Sequence, residues 1–64
     1  MITIHNEMIY ISNFRKIISI DDHQIYLIYN NKKLKIEGLG LIIKYLSKDD
    51  IEINGSIIKV EFYE

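Results

Sequence analysis

The sequence predicts an all-β fold: an antiparallel meander of seven or eight short strands forming a small roll or sandwich, as a single domain over residues 1–64. Three observations predict it. Apolar residues recur at every second position through most of the chain, with polar or charged residues between them, the pattern of half-buried strands. The apolar set is mainly Ile, with Leu, Tyr, Phe and a lone Val60, and it contains no Ala. β-branched and aromatic side chains suit a pleated surface and lose rotamer freedom in a helix. Finally, the breaks between the apolar runs are made of Asn, Asp and Gly, the residues of tight turns.

Taken in order, the strands are expected near residues 2–5, 7–12, 15–20, 24–30, 33–37, 40–46, 50–54 and 57–63. Ile2 and Ile4 flank Thr3; Ile9 and Ile11 alternate with Tyr10 and Ser12; Ile18 and Ile20 flank Ser19. Gln24-Ile25-Tyr26-Leu27-Ile28-Tyr29 is apolar on both faces, as for a central strand or one whose outer face meets something else. Leu34 and Ile36 alternate with Lys33, Lys35 and Glu37. Leu39, Ile42, Ile43 and Leu46 fall at helical spacing, but Leu41 and Tyr45 fill the opposite face and no capping residue precedes them, so strand is preferred over helix there. Ile51 and Ile53, then Ile58, Val60 and Phe62, complete the alternation. The expected core is Ile9, Ile11, Ile18, Ile25, Leu27, Leu34, Ile36, Ile43, Ile53, Ile58 and Val60.

The turns are as specific as the strands. Asn30-Asn31 suits a hairpin that needs left-handed backbone, and Asn54-Gly55 is the strongest short hairpin signal in the chain. Lys35-Ile-Glu-Gly38 returns loosely as Glu52-Ile-Asn-Gly55, which makes Gly38 and Gly55 matched structural turns.

Composition narrows function by exclusion. At 64 residues, with no cysteine, the chain has no disulfide to stabilise a small core. A net charge of −1 argues against a nucleic-acid binder working by bulk attraction. No apolar run is long enough for a transmembrane helix, and the N-terminal residues do not read as a signal peptide, so the expected compartment is cytoplasmic. Gly38-Leu39-Gly40 lacks the third glycine and the βαβ setting of a dinucleotide loop. Asp49-Asp50-Ile51-Glu52 lacks the ligand spacing of a calcium loop. His5 and His23 have acidic neighbours, but nothing in their spacing joins them into a metal site. The serines lie in no nucleophile motif. The reading is therefore no catalytic residue, no metal, no cofactor and no small-molecule substrate.

Five tyrosines are many for this length. Tyr26, Ile28, Tyr29, Ile42 and Tyr45 form the candidate interface, since tyrosine is enriched at protein contacts. A competing reading uses Tyr10, Tyr26 or Tyr29 with Lys32, Lys33 and Lys35 as a stacking surface for single-stranded nucleic acid on a small β-barrel. The interface reading is preferred, and with it a homo-oligomer, because more of the chain is apolar than one small face can enclose.

The motifs Ile4-x4-Ile9-Tyr10-Ile11-Ser12-Asn13-Phe14-Arg15-Lys16-Ile17, Leu34-Lys35-Ile36-Glu37-Gly38-x-Gly40-Leu41-x-Ile43-x-Tyr45-Leu46 and Ile51-x-Ile53-x-Gly55-x-Ile57-x-Lys59-Val60-Glu61-Phe62 run from Ile4 to Phe62. In them the chain resembles the YabP/YqfC family of small sporulation proteins of endospore-forming bacteria, and it is closer to the YqfC branch. Typical members carry a longer basic stretch ahead of these motifs. The resemblance implies a non-enzymatic structural or adaptor role in the mother cell during spore formation. It also implies a membrane-protein partner at the forespore as an alternative to self-assembly. No catalytic residue is carried over, and only Gly38 and Gly55 transfer, as turn positions.

Overall fold

The computed structural model describes residues 1–63. Strands β1 (Ile2–His5), β2 (Met8–Ser12), β3 (Lys16–Ile20), β4 (Gln24–Tyr29), β5 (Lys32–Leu46) and β6 (Asp50–Tyr63) form one antiparallel sheet in the order β1-β2-β6-β5-β4-β3. There is no helix among the described residues, and residues 39–46 are strand. The expected seven or eight strands are six, because residues 33–37 and 40–46 belong to one strand, and 50–54 and 57–63 to another.

Those two long strands determine the shape. A straight strand of 15 residues would span about 50 Å at ~3.3 Å per residue. The whole molecule is 26 Å in its longest dimension. Both strands must therefore bend, and the bend lies at the glycines. Gly40 has φ 61° and Gly55 φ 141°, backbone that side-chain-bearing residues rarely adopt. Asn54-Gly55 is thus not the hairpin turn its sequence predicts. β6 continues through it and keeps β5 as its neighbour on both sides of the bend, with Ile42↔Asn54 before and Gly38↔Ile57 after. Gly38 is likewise not a turn: it sits inside β5, opposite Ile57. A hairpin would require residues 57–63 to fold back onto 50–54. Instead, β5 bends in step with β6 and offers each half its own partner.

The bends fold the sheet into two facing halves. One half contains β1, β2, the start of β6 and the end of β5; the other contains β3, β4, the start of β5 and the end of β6. Their inner faces enclose Ile9, Ile11, Ile25, Leu27, Leu34, Ile36, Ile51 and Ile53, all with no solvent exposure, together with Phe14 and Leu41. Burying a side chain of this size stabilises the fold by roughly 1.5–3 kcal/mol. Of the remaining positions expected in the core, Ile43 and Val60 are half-buried against it. Ile18 and Ile58 are not core: they are 46% and 61% exposed. Ile18 is displaced by a bulge between Ile17 and Ser19, which shifts the alternation and leaves Ile17 packed inward. At Ile58 a register shift between Glu37 and Gly38 leaves the residue without a partner on β5, and Ile57 packs against the core in its place.

The two halves are related by an internal two-fold echo. β1-β2 carries Ile2-Thr3-Ile4 and Ile9-Tyr10-Ile11; β3-β4 carries Ile18-Ser19-Ile20 and Ile25-Tyr26-Leu27. Ile9 and Ile11 pair with Ile53 and Ile51, as Ile25 and Leu27 pair with Ile36 and Leu34. The bends are held equivalently. Gly55 donates its N–H to the Glu7 carbonyl at 3.0 Å, and Gly38 donates to the His23 carbonyl at 3.0 Å. The near-repeat around the two glycines is part of this larger symmetry.

The connections follow local chemistry. Asn30 and Asn31, with φ 55° and 65°, make the two-residue turn between β4 and β5 that the sequence predicts. Asn13, φ 64°, starts the crossover from β2 to β3, which is tied down by Phe14 N–H to the Asp49 carbonyl (3.1 Å) and Arg15 N–H to the Ile28 carbonyl (2.8 Å).

Candidate functional site

No polar or charged side chain is buried among the described residues. The chemistry of the molecule therefore lies on its outer faces and strand edges.

The candidate interface residues do not form one surface. Tyr26 and Ile28 lie on the outer face of the half containing β4, where Tyr26 pairs with Lys35 and Ile28 with Lys33. Ile42 and Tyr45 lie on the outer face of the other half, 61% and 51% exposed, beside Asn54 and Glu52. Tyr29 packs against the core at the end of β4, its ring 6.2 Å from that of Phe62. The same division separates Tyr10 from Tyr26, so the tyrosines offer no continuous base-stacking platform.

The outer face around Tyr26 is a ladder of opposite charges. Lys35 stands between Tyr26 and Glu61, and Glu37 between Gln24 and Lys59. Along the strands, Lys35 Nζ lies 3.3 Å from Glu37 and Lys59 Nζ 3.5 Å from Glu61. The Tyr63 hydroxyl donates to Glu61 at 2.7 Å. That bond, followed by partial burial, raises the Tyr63 pKa, and it is the largest of the causes that lower Glu61. The hydrogen bond to Glu37 raises Lys35. Lys33 Nζ sits 5.5 Å from the Tyr26 ring centroid, a cation–π contact. On the opposite outer face, partial burial and the neighbouring Asp50 carboxylate raise Tyr10.

The turn before β4 is a compact polar knot. Asp21 Oδ1 accepts the backbone N–H of His23 at 3.0 Å and of Gln24 at 2.8 Å, and these bonds hold Asp21 below the ordinary carboxylate value. His23 Nδ1 lies 3.1 Å from Asp22 and 3.3 Å from Asp21; the Asp22 hydrogen bond is the main cause that raises His23 above the ordinary imidazole value. These three exposed side chains are close enough to share an ion, but His5 is not among them. Of the Asp21 carboxylate, Oδ1 is engaged by the two backbone N–H groups of the turn.

Sequence reasoning missed the apolar residues on the unpaired strand edges. Ile58 and Phe62 on β6, Ile20 on β3 and Leu46 on β5 are all about half exposed or more. Each lies on a strand segment with only one neighbour. Their alternation reads as core, and only strand order distinguishes a core position from an edge.

These features define a class: a small all-β protein whose chemistry lies along sheet edges and charged outer faces rather than in a buried site. The chain belongs to the YabP family, whose model matches residues 1–64. This membership is consistent with a sporulation-related role, and the match does not separate the YqfC branch from the rest. No curated protein and no solved structure matches the chain. No helix among the described residues is long and apolar enough to cross a membrane.

Proposed function

We propose that this protein is a non-enzymatic structural or adaptor module of endospore formation, acting by self-assembly or by docking to a membrane-protein partner at the forespore. The observation that carries the reading is family membership over the whole chain. The half-exposed Ile58, Phe62, Ile20 and Leu46 support it, because apolar side chains on unpaired edges are material for protein contact. In this reading the protein works in the mother-cell cytoplasm and reaches the forespore membrane through its contacts.

The test is a gene deletion in the endospore-forming host, with a fluorescent fusion followed through sporulation. The expected result is accumulation of the fusion around the forespore and a loss of heat-resistant spores on deletion. Normal spore yield with diffuse fluorescence throughout would overturn the proposal. The nucleic-acid reading gains no support from the geometry, since Tyr10 and Tyr26 occupy different halves and Lys35 is engaged with Glu37.

A further inference from the structure

We infer that a second copy of this chain docks on the free edge of β6, over Ile57–Tyr63, by antiparallel pairing about a two-fold axis at Val60. The inference rests on the self-assembly arm of the proposed function and names its surface and register.

The edge is open. Residues 57–63 pair with β5 on one side, whereas β2, the other neighbour of β6, pairs only with Met8↔Asn54 through Ser12↔Asp50. Apolar side chains along this edge are left wet: Ile58, at the register shift, is 61% and Phe62 50% exposed. A row of unpaired backbone groups beside apolar side chains is a template for strand addition.

The sequence of the edge selects its partner. In a two-fold antiparallel pair centred on Val60, each Lys59 stands opposite the second copy's Glu61. Each Ile58 stands opposite the second copy's Phe62, and Val60 meets the second copy's Val60. Opposite charges and apolar pairs directly across a strand pair both stabilise it. A two-fold contact must be self-complementary, and this strand is.

The other free edges lack the property. The end of β5, Leu39–Leu46, carries Lys44 as its one charge; β3 carries Lys16; β1 has no Lys, Arg, Asp or Glu. Only the β6 edge has a cation and an anion two residues apart, so only there does a two-fold axis through the residue between them cross-match the charges.

The test uses Lys59→Glu and Glu61→Lys as separate full-length variants, with sedimentation equilibrium as the readout and a cooperative melt as the check of folding. Each variant alone places like charges opposite one another twice, and its self-association is expected to weaken at least ~10-fold. A one-to-one mixture places opposite charges across the contact again and is expected to recover wild-type affinity. Each chain's internal pairs with Lys35 and Glu37 are the same mixed or unmixed, so recovery reports the contact between chains.

Because the chain has no cysteine, Val60→Cys provides a second readout that needs neither charge variant. Directly opposed residues lie about 4.5–5.5 Å apart at Cα, within disulfide reach. Mild oxidation is expected to give a covalent dimer. If the wild type associates, but mixing restores nothing and Val60→Cys does not bridge, the edge assignment is overturned while self-assembly stands. A monomer at every soluble concentration, with no bridging, overturns the inference and self-assembly together. Capture of a forespore membrane protein by that monomer would leave the adaptor arm of the proposal standing.

Discussion

Replacing Gly38 by Ala should cost more than replacing Gly40 by Ala, although Gly40 has the left-handed backbone and Gly38 does not. A Cβ at Gly38 would lie 2.3 Å from the Ser56 carbonyl oxygen and 2.9 Å from Leu41 Cδ2. The first contact is with backbone of the paired strand, so β5 and β6 must separate at their common bend. Overpacking costs roughly 1–3 kcal/mol, and a backbone clash this close belongs at the top of that range. The loss of unfolded-state freedom returns ~0.4–1 kcal/mol. At Gly40, φ 61°, a Cβ meets nothing within 4 Å. Its cost is left-handed strain of about 1–2 kcal/mol, offset by the same entropic gain. The expected difference is about 1–2 kcal/mol, with Gly38→Ala the less stable. For a domain of this size that is roughly 4–16 °C in melting temperature. Urea denaturation of both variants, followed by far-UV circular dichroism, measures it. Equal stability, or a less stable Gly40→Ala, would refute the argument that close approach at the bend outweighs backbone strain.

Other outcomes follow from the same structure. Ile53→Ala removes a side chain with no exposure and should cost roughly 2–5 kcal/mol, whereas Ile58→Ala in dilute monomer should lie within ~0.5 kcal/mol of wild type; denaturant midpoints separate them. Asn31→Val forces a β-branched residue into φ 65° and should lower the melting temperature, while Asn31→Gly should not. Because Asp21 is lowered in the fold, its stabilisation is present above the ordinary carboxylate value and is lost as pH falls through its lowered one; melts of wild type and Asp21→Asn should converge in acid. His23 is raised, so its contribution is full below the ordinary imidazole value and disappears as pH rises through the raised one; His23→Gln should lose that dependence in pH-series melts.

What the sequence made legible was what is decided locally. The Asn30-Asn31 turn depends on two adjacent residues that tolerate positive φ, and it formed as expected. The strands of alternating Ile and Leu formed because a period of two can be satisfied only by a strand with one buried face. Gly55 read correctly as exceptional backbone but incorrectly as a reversal. Whether a kinked strand turns back or continues depends on what runs beside it, and that is β5, whose own bend is remote in sequence. Ile18 and Ile58 were misread for similar reasons. A one-residue bulge shifts the phase at Ile18, and a register shift does the same at Ile58, which strand order also leaves at an edge. The interface residues scattered because Tyr26 and Tyr29, three apart on β4, point to opposite sides of the sheet, and the fold-over carries Tyr45 to a different outer face.

The two-fold echo also orders events in time. One of its units, β3-β4-β5, is a continuous meander with short connections. The other is divided: β1-β2 must wait for β6, whose partner residues, as in Ile9↔Ile53, lie far along the chain. Closing a long loop costs entropy before any contact returns it. The contiguous unit should therefore be structured in the folding transition state, and the divided one should close afterwards. In stopped-flow kinetics, substitutions at the Asn30-Asn31 turn should slow folding, and truncation of Ile9 should chiefly speed unfolding. Two nearly equivalent halves of one molecule would then differ in when they form, solely because one is inserted within the other.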